Sequence, residues 1–243
     1  MTYTTIQGGQ RTPPTAAMPY KKRTNNGKIS FKDFLANQGY DIETFKLIQN
    51  PPGMNDKWLL HDIKLAIELI LQAKKIAVIG DYDVDGITAT TIMVSGLRKI
   101  GKDALFFIPN RFKDGYGLNV NLVNKSIDCG ADLVLTVDNG IAAYNAVQHA
   151  KDCGLKIIVT DHHNIVKLPP ADAIVHPAMK PYPFANISGC QTAYKIVLAL
   201  FEQLNIEDEF LERYFLQLST LSIISDVMPV ASKNMEINEI VSG

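Results

Sequence analysis

Four acidic stretches, each just after an apolar run, carry the residues of this chain that could do chemistry. They are Asp81-Tyr82-Asp83-Val84-Asp85-Gly86, Asp138-Asn139-Gly140, Asp161-His162-His163 and, more weakly, Ser225-Asp226-Val227. Carboxylates and imidazoles are ligands for divalent cations. One Asp after an apolar run is ordinary; several, with an adjacent His pair, point to a metal-dependent hydrolase.

Each stretch also has a plainer reading. Asp81, Asp83 and Asp85 alternate, so in extended chain they share one side, and three like charges there repel unless cations hold them. Gly86 lets the backbone turn into a helix starting near Ile87, whose N-terminal N–H groups suit a phosphate. The alternative is a solvated acidic loop with Asp85 as the helix cap. Asp138-Asn139-Gly140 alone reads first as a turn. His162 and His163 suit metal ligation or general acid–base work, against a pair merely facing solvent. Asp226 ends an apolar helix and is either a local cap or a further ligand. Two more segments suit an anion. Arg111, in Pro109-Asn110-Arg111-Phe112-Lys113-Asp114-Gly115-Tyr116-Gly117, offers a guanidinium for bidentate phosphate binding. Ser188-Gly189-Cys190-Gln191-Thr192 opens a helix with small residues that would let a phosphate approach.

The elements that must position these residues follow from the apolar pattern. Short apolar runs predict strands at 76–80, 104–108, 133–137 and 156–160. Helical spacing predicts helices over 62–73, 87–100, 119–129, 141–153, 190–205 and 208–225. Runs buried on both faces, separated by helices, predict an α/β fold with a mostly parallel sheet flanked by helices. Ligands of such folds bind at the carboxyl ends of the strands, where the acidic stretches lie. The segment Pro169–Ile187 carries five prolines and predicts ordered, irregular chain. Residues 1–30 read as a flexible basic arm, with a short helix from about Ser30 to Gln38, and 31–74 as an N-terminal helical extension broken at Asn50-Pro51-Pro52-Gly53. Residues 75–230 read as the catalytic domain, and 231–243, with a helical pattern over Met235–Val241, as the start of a connecting helix.

With 243 residues, 47% hydrophobic and 20% charged, the chain can bury one large α/β domain, and no apolar run approaches the ~20 residues of a membrane span. No secretory pattern opens the sequence. Cys129, Cys153 and Cys190 are too scattered for a metal knuckle, which predicts reduced, buried thiols in a cytoplasmic protein. The net charge is −1. Arg11, Lys21, Lys22, Arg23 and Lys28 face no acid in the arm, leaving 19 basic against 25 acidic residues beyond position 30, a net of −6. Such a body does not coat nucleic acid in general; a polyanion would need a local groove and cations.

The ordered set Gly80-Asp81-Tyr82-Asp83-Val84-Asp85-Gly86, Asp138-Asn139-Gly140, Asp161-His162-His163 and a later Asp226 resembles the DHH phosphoesterase superfamily. Within it, Ile108–Leu118 and Pro181-Tyr182-Pro183-Phe184 are similar to the RecJ family of single-stranded-DNA-specific exonucleases. The resemblance runs from about Phe31 onward. It implies a DHH-type domain without the family's second lobe, two Mn²⁺ or Mg²⁺ ions, and 5′-to-3′ hydrolysis of single-stranded DNA in repair or recombination, with replication or repair proteins as partners. By motif position it implies Asp83, Asp85, Asp138, His162 and Asp226 as metal ligands. Asp81 would join them or stand behind them, His163 would act at the scissile phosphate, and Arg111 and Tyr116 would contact substrate, with Gly189, Gln191 and Thr192 at a phosphate. Two stretches depart from the family pattern: Gly189-Cys190-Gln191-Thr192 replaces a Gly-Ala-Gly type sequence, and Ser222-Ile223-Ile224-Ser225 a Gly-Thr-Ile-Ala type run. Two alternatives stand beside this reading: a phosphoesterase of short oligonucleotides or nucleotides, and a catalytically silent replication scaffold.

Overall fold

The apolar runs form five parallel strands, because each is buried on both faces and so needs helices above and below it. The computed structural model describes residues 53–110 and 117–228. The basic arm, the 30–38 helix, the break at Asn50-Pro51-Pro52, Arg111, Tyr116 and the Met235–Val241 pattern lie outside the described residues. The strands are β1 (Lys75–Ile79), β2 (Asp103–Phe107), β3 (Leu133–Thr136), β4 (Lys156–Thr160) and β5 (Ala173–Val175). Their order is β2-β1-β3-β4-β5, all parallel. The chain leaves β1 toward one edge and returns to pair β3 on β1's other side. The switch point therefore lies between β1 and β3, where open α/β sheets leave a crevice.

After a single 3₁₀ turn at Lys57–Leu59 come α1 (Ile63–Gln72), α2 (Val84–Lys99), α3 (Val120–Asp128), α4 (Tyr144–Asp152), α5 (Gly189–Gln203) and α6 (Glu209–Ser225). Strand residues divide by parity. Ile76, Val78, Leu133, Leu135 and Ile158 pack with α1, α2, α5 and α6 on one face. Ala77, Ile79, Val134, Ile157 and Val159 pack with α3 and α4 on the other. At about 25 cal/mol per Å² of apolar surface removed from water, these two cores are the main force holding the sheet that carries the site.

Three expectations need correction. The segment read as wholly irregular contains β5, a three-residue edge strand between prolines, docked by Asp161 N donating to Val175 O at 3.3 Å. Helix α2 begins at Val84, because Asp83 is its cap and accepts from Gly86 N at 2.9 Å. Asp81, Asp83 and Asp85 therefore do not share the side of an extended chain. Gly86 lies inside the first turn, where a Cβ would come 2.6 Å from Asp81 O. Finally, only Cys190 is a buried thiol, its pKa pushed up to about 12 by burial. Cys129 and Cys153 are exposed because each is a C-cap followed by a left-handed glycine, Gly130 and Gly154 at φ 74° and 79°. That closure places the capping residue at the surface end of the helix.

Asp172 holds the outer strands together. Its carboxylate accepts from Ile157 N at 2.9 Å and from Lys151 Nζ and Lys156 Nζ at 3.0 and 3.2 Å. Burial alone would raise its pKa, but these donors bring it below the ordinary carboxylate range. A depressed pKa means stability present above the unfolded value of 3.8 and lost as pH falls through the lower folded value. Asp172→Ala should therefore cost about 1 kcal/mol at pH 7 and progressively less as pH falls below 3.8, measured by urea unfolding across that range.

Candidate metal centre

Adjacent parallel strands lie roughly 4.8 Å apart, so side chains from the neighbouring ends of β1, β3 and β4 can reach one point. His162 Nε2 is that point. It lies 3.2 Å from Asp138 Oδ1, 3.5 Å from Asp85 Oδ2 and 3.6 Å from Asp226 Oδ2. The ligand atoms of Asp85, His162 and Asp226 all fall within 4.8 Å of one another, as do those of Asp138, His162 and His163. A cavity of about 570 Å³ lined by Trp58, Lys64, Ile67, Glu68, Leu71 and Gln203 contains none of these residues.

Asp85 is 1% exposed and held from outside its own helix. Its Oδ2 accepts from Gly189 N, and its Oδ1 from Cys190 N, both at 2.8 Å. Ser222 Oγ adds a third bond to Oδ1 at 2.6 Å. The N-terminus of α5 thus meets an anion, as its free N–H groups and dipole favour, but the anion is the protein's own carboxylate. Where the sequence reading placed a phosphate against Gly189, Gln191 and Thr192, the Gly189 and Cys190 N–H groups are met by Asp85. Two N–H groups there are taken, Gln191 closes a capping box with Ser188, and Thr192 Oγ1 donates to Ser188 O at 3.0 Å. Gly189 is required for closeness: a Cβ there would sit 2.4 Å from Asp138 Oδ1.

Asp138 and Asp226 are the uncomfortable carboxylates. Asp138 is 1% exposed, and its Oδ1 has no hydrogen-bond donor; His162 Nε2 is likewise buried without a hydrogen-bond partner. Burial, then the charge of Asp85, pushes the Asp138 carboxyl up to about 10. Burial also raises Asp226, which caps the C-terminal end of α6, where the helix dipole disfavours a negative charge. Asp81 is half-buried and raised by burial, with Oδ1 accepting from Tyr82 N at 2.7 Å. Asp83 is exposed and spends one oxygen on its cap, yet its charge is felt by Asp81, Asp138 and Asp226. Neither Asp81 nor Asp83 belongs to the two groups at ligand distance. Buried carboxylates with orphaned atoms around an imidazole need positive charge, and this oxygen-rich donor set fits Mn²⁺ or Mg²⁺.

Asp161 organises the histidines. Its Oδ1 accepts from His162 N, His163 N and His163 Nδ1 at 2.7, 3.1 and 2.7 Å, and its Oδ2 accepts from Ile141 N at 2.9 Å. Burial opposes its ionisation, but these donors prevail and lower its pKa, while the bond to Asp161 raises that of His163. The protonated form of His163 is thus favoured by its partner, on a side chain 55% exposed at the edge of the carboxylate cluster, with Nδ1 4.0 Å from Asp138 Oδ1.

Three residues of this site were given no role by the sequence reading. Asn139 donates to Ile79 O and Val137 O and accepts from Leu118 N, locking the ends of β1 and β3 together. His176 donates from Nε2 to His163 O at 2.8 Å and accepts from Ala178 N, with burial holding it neutral. Ser222 lies one turn before Asp226 on α6, so the stripe Ser222-Asp226 at i, i+4 in an apolar helix was its sequence signal.

Comparison with known proteins agrees with this geometry. The model of the DHH family, N-terminal domain, matches residues 75–223. The chain is 36% identical over 189 residues to the single-stranded-DNA-specific exonuclease RecJ of Haemophilus influenzae, covering 72% of this chain and 33% of that one. It is 39% identical over 210 residues to RecJ of Bacillus subtilis, covering 82% and 26%. It thus spans about a third or less of the length of these relatives. A crystal structure of exonuclease RecJ bound to manganese superimposes with a TM-score of 0.65 at 36% identity, covering 72% of this chain and 46% of that chain. That of RecJ in complex with Mn²⁺ from Thermus thermophilus gives 0.65 at 28% identity, covering 84% and 31%.

Proposed function

This chain belongs to the DHH family, and from that premise we propose that it carries a dinuclear Mn²⁺ or Mg²⁺ phosphodiesterase centre that removes nucleotides from the 5′ end of single-stranded DNA in repair or recombination. The observation that carries the proposal is the convergence of the Asp85, Asp138 and Asp226 carboxylates on His162 Nε2, with Asp138 Oδ1 and that nitrogen both buried and unpartnered. The likeness to RecJ supports the choice of substrate. The catalytic domain is taken as residues 75–230.

Asp85, Asp138, His162 and Asp226 would hold the ions, with Asp83 as a further ligand through the oxygen its cap leaves free and Asp81 behind it. When bound, such a pair lowers the pKa of a coordinated water and screens the phosphate. The chain's own residues do the rest. Asp161 fixes the ring of His163 and favours its protonated form, in which His163 can donate to a phosphate oxygen or to the departing 3′ oxygen. His176 braces the loop from behind through the His163 carbonyl. Asn139 fixes the crevice between β1 and β3 into which the phosphate enters. Arg111 and Tyr116 would contact the strand.

The test is incubation of the 243-residue chain with 5′-labelled single-stranded DNA and Mn²⁺. Labelled mononucleotide should be the first product, chelator should abolish it, and blunt duplex should resist. Cleavage of oligonucleotides of a few residues with no attack on longer strands would favour the small-substrate alternative. No metal-dependent release at high protein concentration would overturn the proposal.

A further inference from the structure

We propose that Ser222 is a positioning residue of the metal centre, which fixes Asp85 as a ligand through one oxygen only; this rests on the reading of Asp85 as a metal ligand. Ser222 and Ser188 are fully buried, and their hydroxyl oxygens lie 2.5 Å apart. Ser222 Oγ also donates to Asp85 Oδ1 at 2.6 Å. An ionised carboxylate only accepts, so the single Ser222 proton goes to Asp85. The Ser188 proton must then point to Ser222, while Ser188 Oγ accepts from Gln191 N at 3.2 Å. The hydroxyls of Ser222 and Ser188 thus each have one assigned direction.

The consequence falls on Asp85. Oδ1 carries two donors, Cys190 N at 2.8 Å and Ser222 Oγ. Oδ2 carries one, Gly189 N at 2.8 Å, and turns its remaining side toward His162 Nε2 at 3.5 Å. Only Oδ2 is left for a cation. The two N–H groups belong to the rigid first turn of α5, but the third donor comes from α6, the helix that also presents Asp226. Ser222, 137 residues from Asp85 in sequence, thus ties the two ligands Asp85 and Asp226 into one register. Without its hydroxyl, Oδ1 has an unfilled acceptor site in a place fully closed to solvent, and only the two N–H groups of α5 are left to set the carboxylate, with nothing tying it to α6.

Hydrogen-bond partners behind a metal ligand are worth about 10–100-fold in affinity. Mn²⁺ binding is read from the electron paramagnetic resonance of free Mn²⁺ in titrations of the full chain, with thermal unfolding in chelator as the check on folding. Ser222→Ala should weaken Mn²⁺ binding about tenfold or more, and Ser222→Cys, close in size but a weak donor, should fall between it and the wild type. Ser219→Ala is the matched control, a fully buried serine one turn away whose hydroxyl pairs with Cys190 Sγ at 3.9 Å and not with a metal ligand; it should shift unfolding without shifting Mn²⁺ affinity. Wild-type affinity in Ser222→Ala, with Asp138→Asn impaired, would overturn the positioning role and leave the metal centre standing. Mn²⁺ binding that Asp138→Asn leaves unchanged would overturn both.

Discussion

Asp138→Asn should lower metal-dependent cleavage on the order of a thousandfold, the rate equivalent of about 4 kcal/mol of lost charge stabilisation, and should at the same time make the metal-free protein more stable. Asparagine is chosen over alanine because Asp138 sits at φ 61°, a left-handed backbone that Asn tolerates as Asp does. The change therefore removes charge without adding backbone strain. The stability gain follows from the carboxyl's surroundings: it is buried, its Oδ1 has no donor, and Asp85 lies beside it.

The sign is set by a folded-state pKa of about 10 against an ordinary value of 3.8. A raised pKa means that the folded protein holds the proton more tightly than the unfolded chain. Its stability is full below about pH 4 and falls as pH rises toward 10. In chelator at pH 7 to 8, Asp138→Asn should unfold at least about 3 °C higher than wild type, the equivalent of about 1 kcal/mol for a chain of this size. The advantage should vanish near pH 4. With saturating Mn²⁺ the order should reverse, because bound metal stabilises only the protein that retains the ligand. A variant less stable than wild type in chelator at pH 8 would show that Asp138 contributes to the fold and is not held under strain for a cation.

The strands and most helices were legible because their signals are local. Ile76–Ile79, Leu133–Val137 and Ile157–Val159 are runs that only a sheet covered on both faces can bury. Short elements and capped starts were harder to read. β5 has three residues among prolines, and α2 starts at Val84 through one side-chain bond from Gly86 N to Asp83. The candidate site divides in the same way. Which residue types gather at the strand ends follows from the order of motifs. That the free N–H groups of α5 would be met by Asp85, 104 residues earlier, is a tertiary fact with no local trace. A Gly-Cys-Gln-Thr helix opening looks the same whether it meets a phosphate or a carboxylate.

Asp161→Ala should be the most damaging change to the fold among the site residues, and comparison with Asp161→Asn separates its two roles. The Asp161 carboxylate is 1% exposed and accepts four hydrogen bonds, three of them from the histidine pair through one oxygen. Alanine leaves the N–H groups of Ile141, His162 and His163 without an acceptor and His163 without its anion. Each N–H left without its acceptor costs about 1–3 kcal/mol, which together should lower the unfolding midpoint by roughly 10 °C. Asparagine can keep its oxygen toward the histidines, so its amide must face Ile141 N, a donor against a donor. That single mismatch should cost about 1–3 kcal/mol. The His163 ring should stay in place but lose the charge that favours its protonated form, so Asp161→Asn should fold yet cleave about 10–100-fold more slowly, with Mn²⁺ affinity less affected than the rate. Unfolding scans, Mn²⁺ titration and single-turnover cleavage of 5′-labelled single-stranded DNA check the three quantities separately. If Asp161→Asn retained the wild-type rate, the charge on His163 would have no part in the chemistry, and Asp161 would serve only to tie the β4 loop to Ile141.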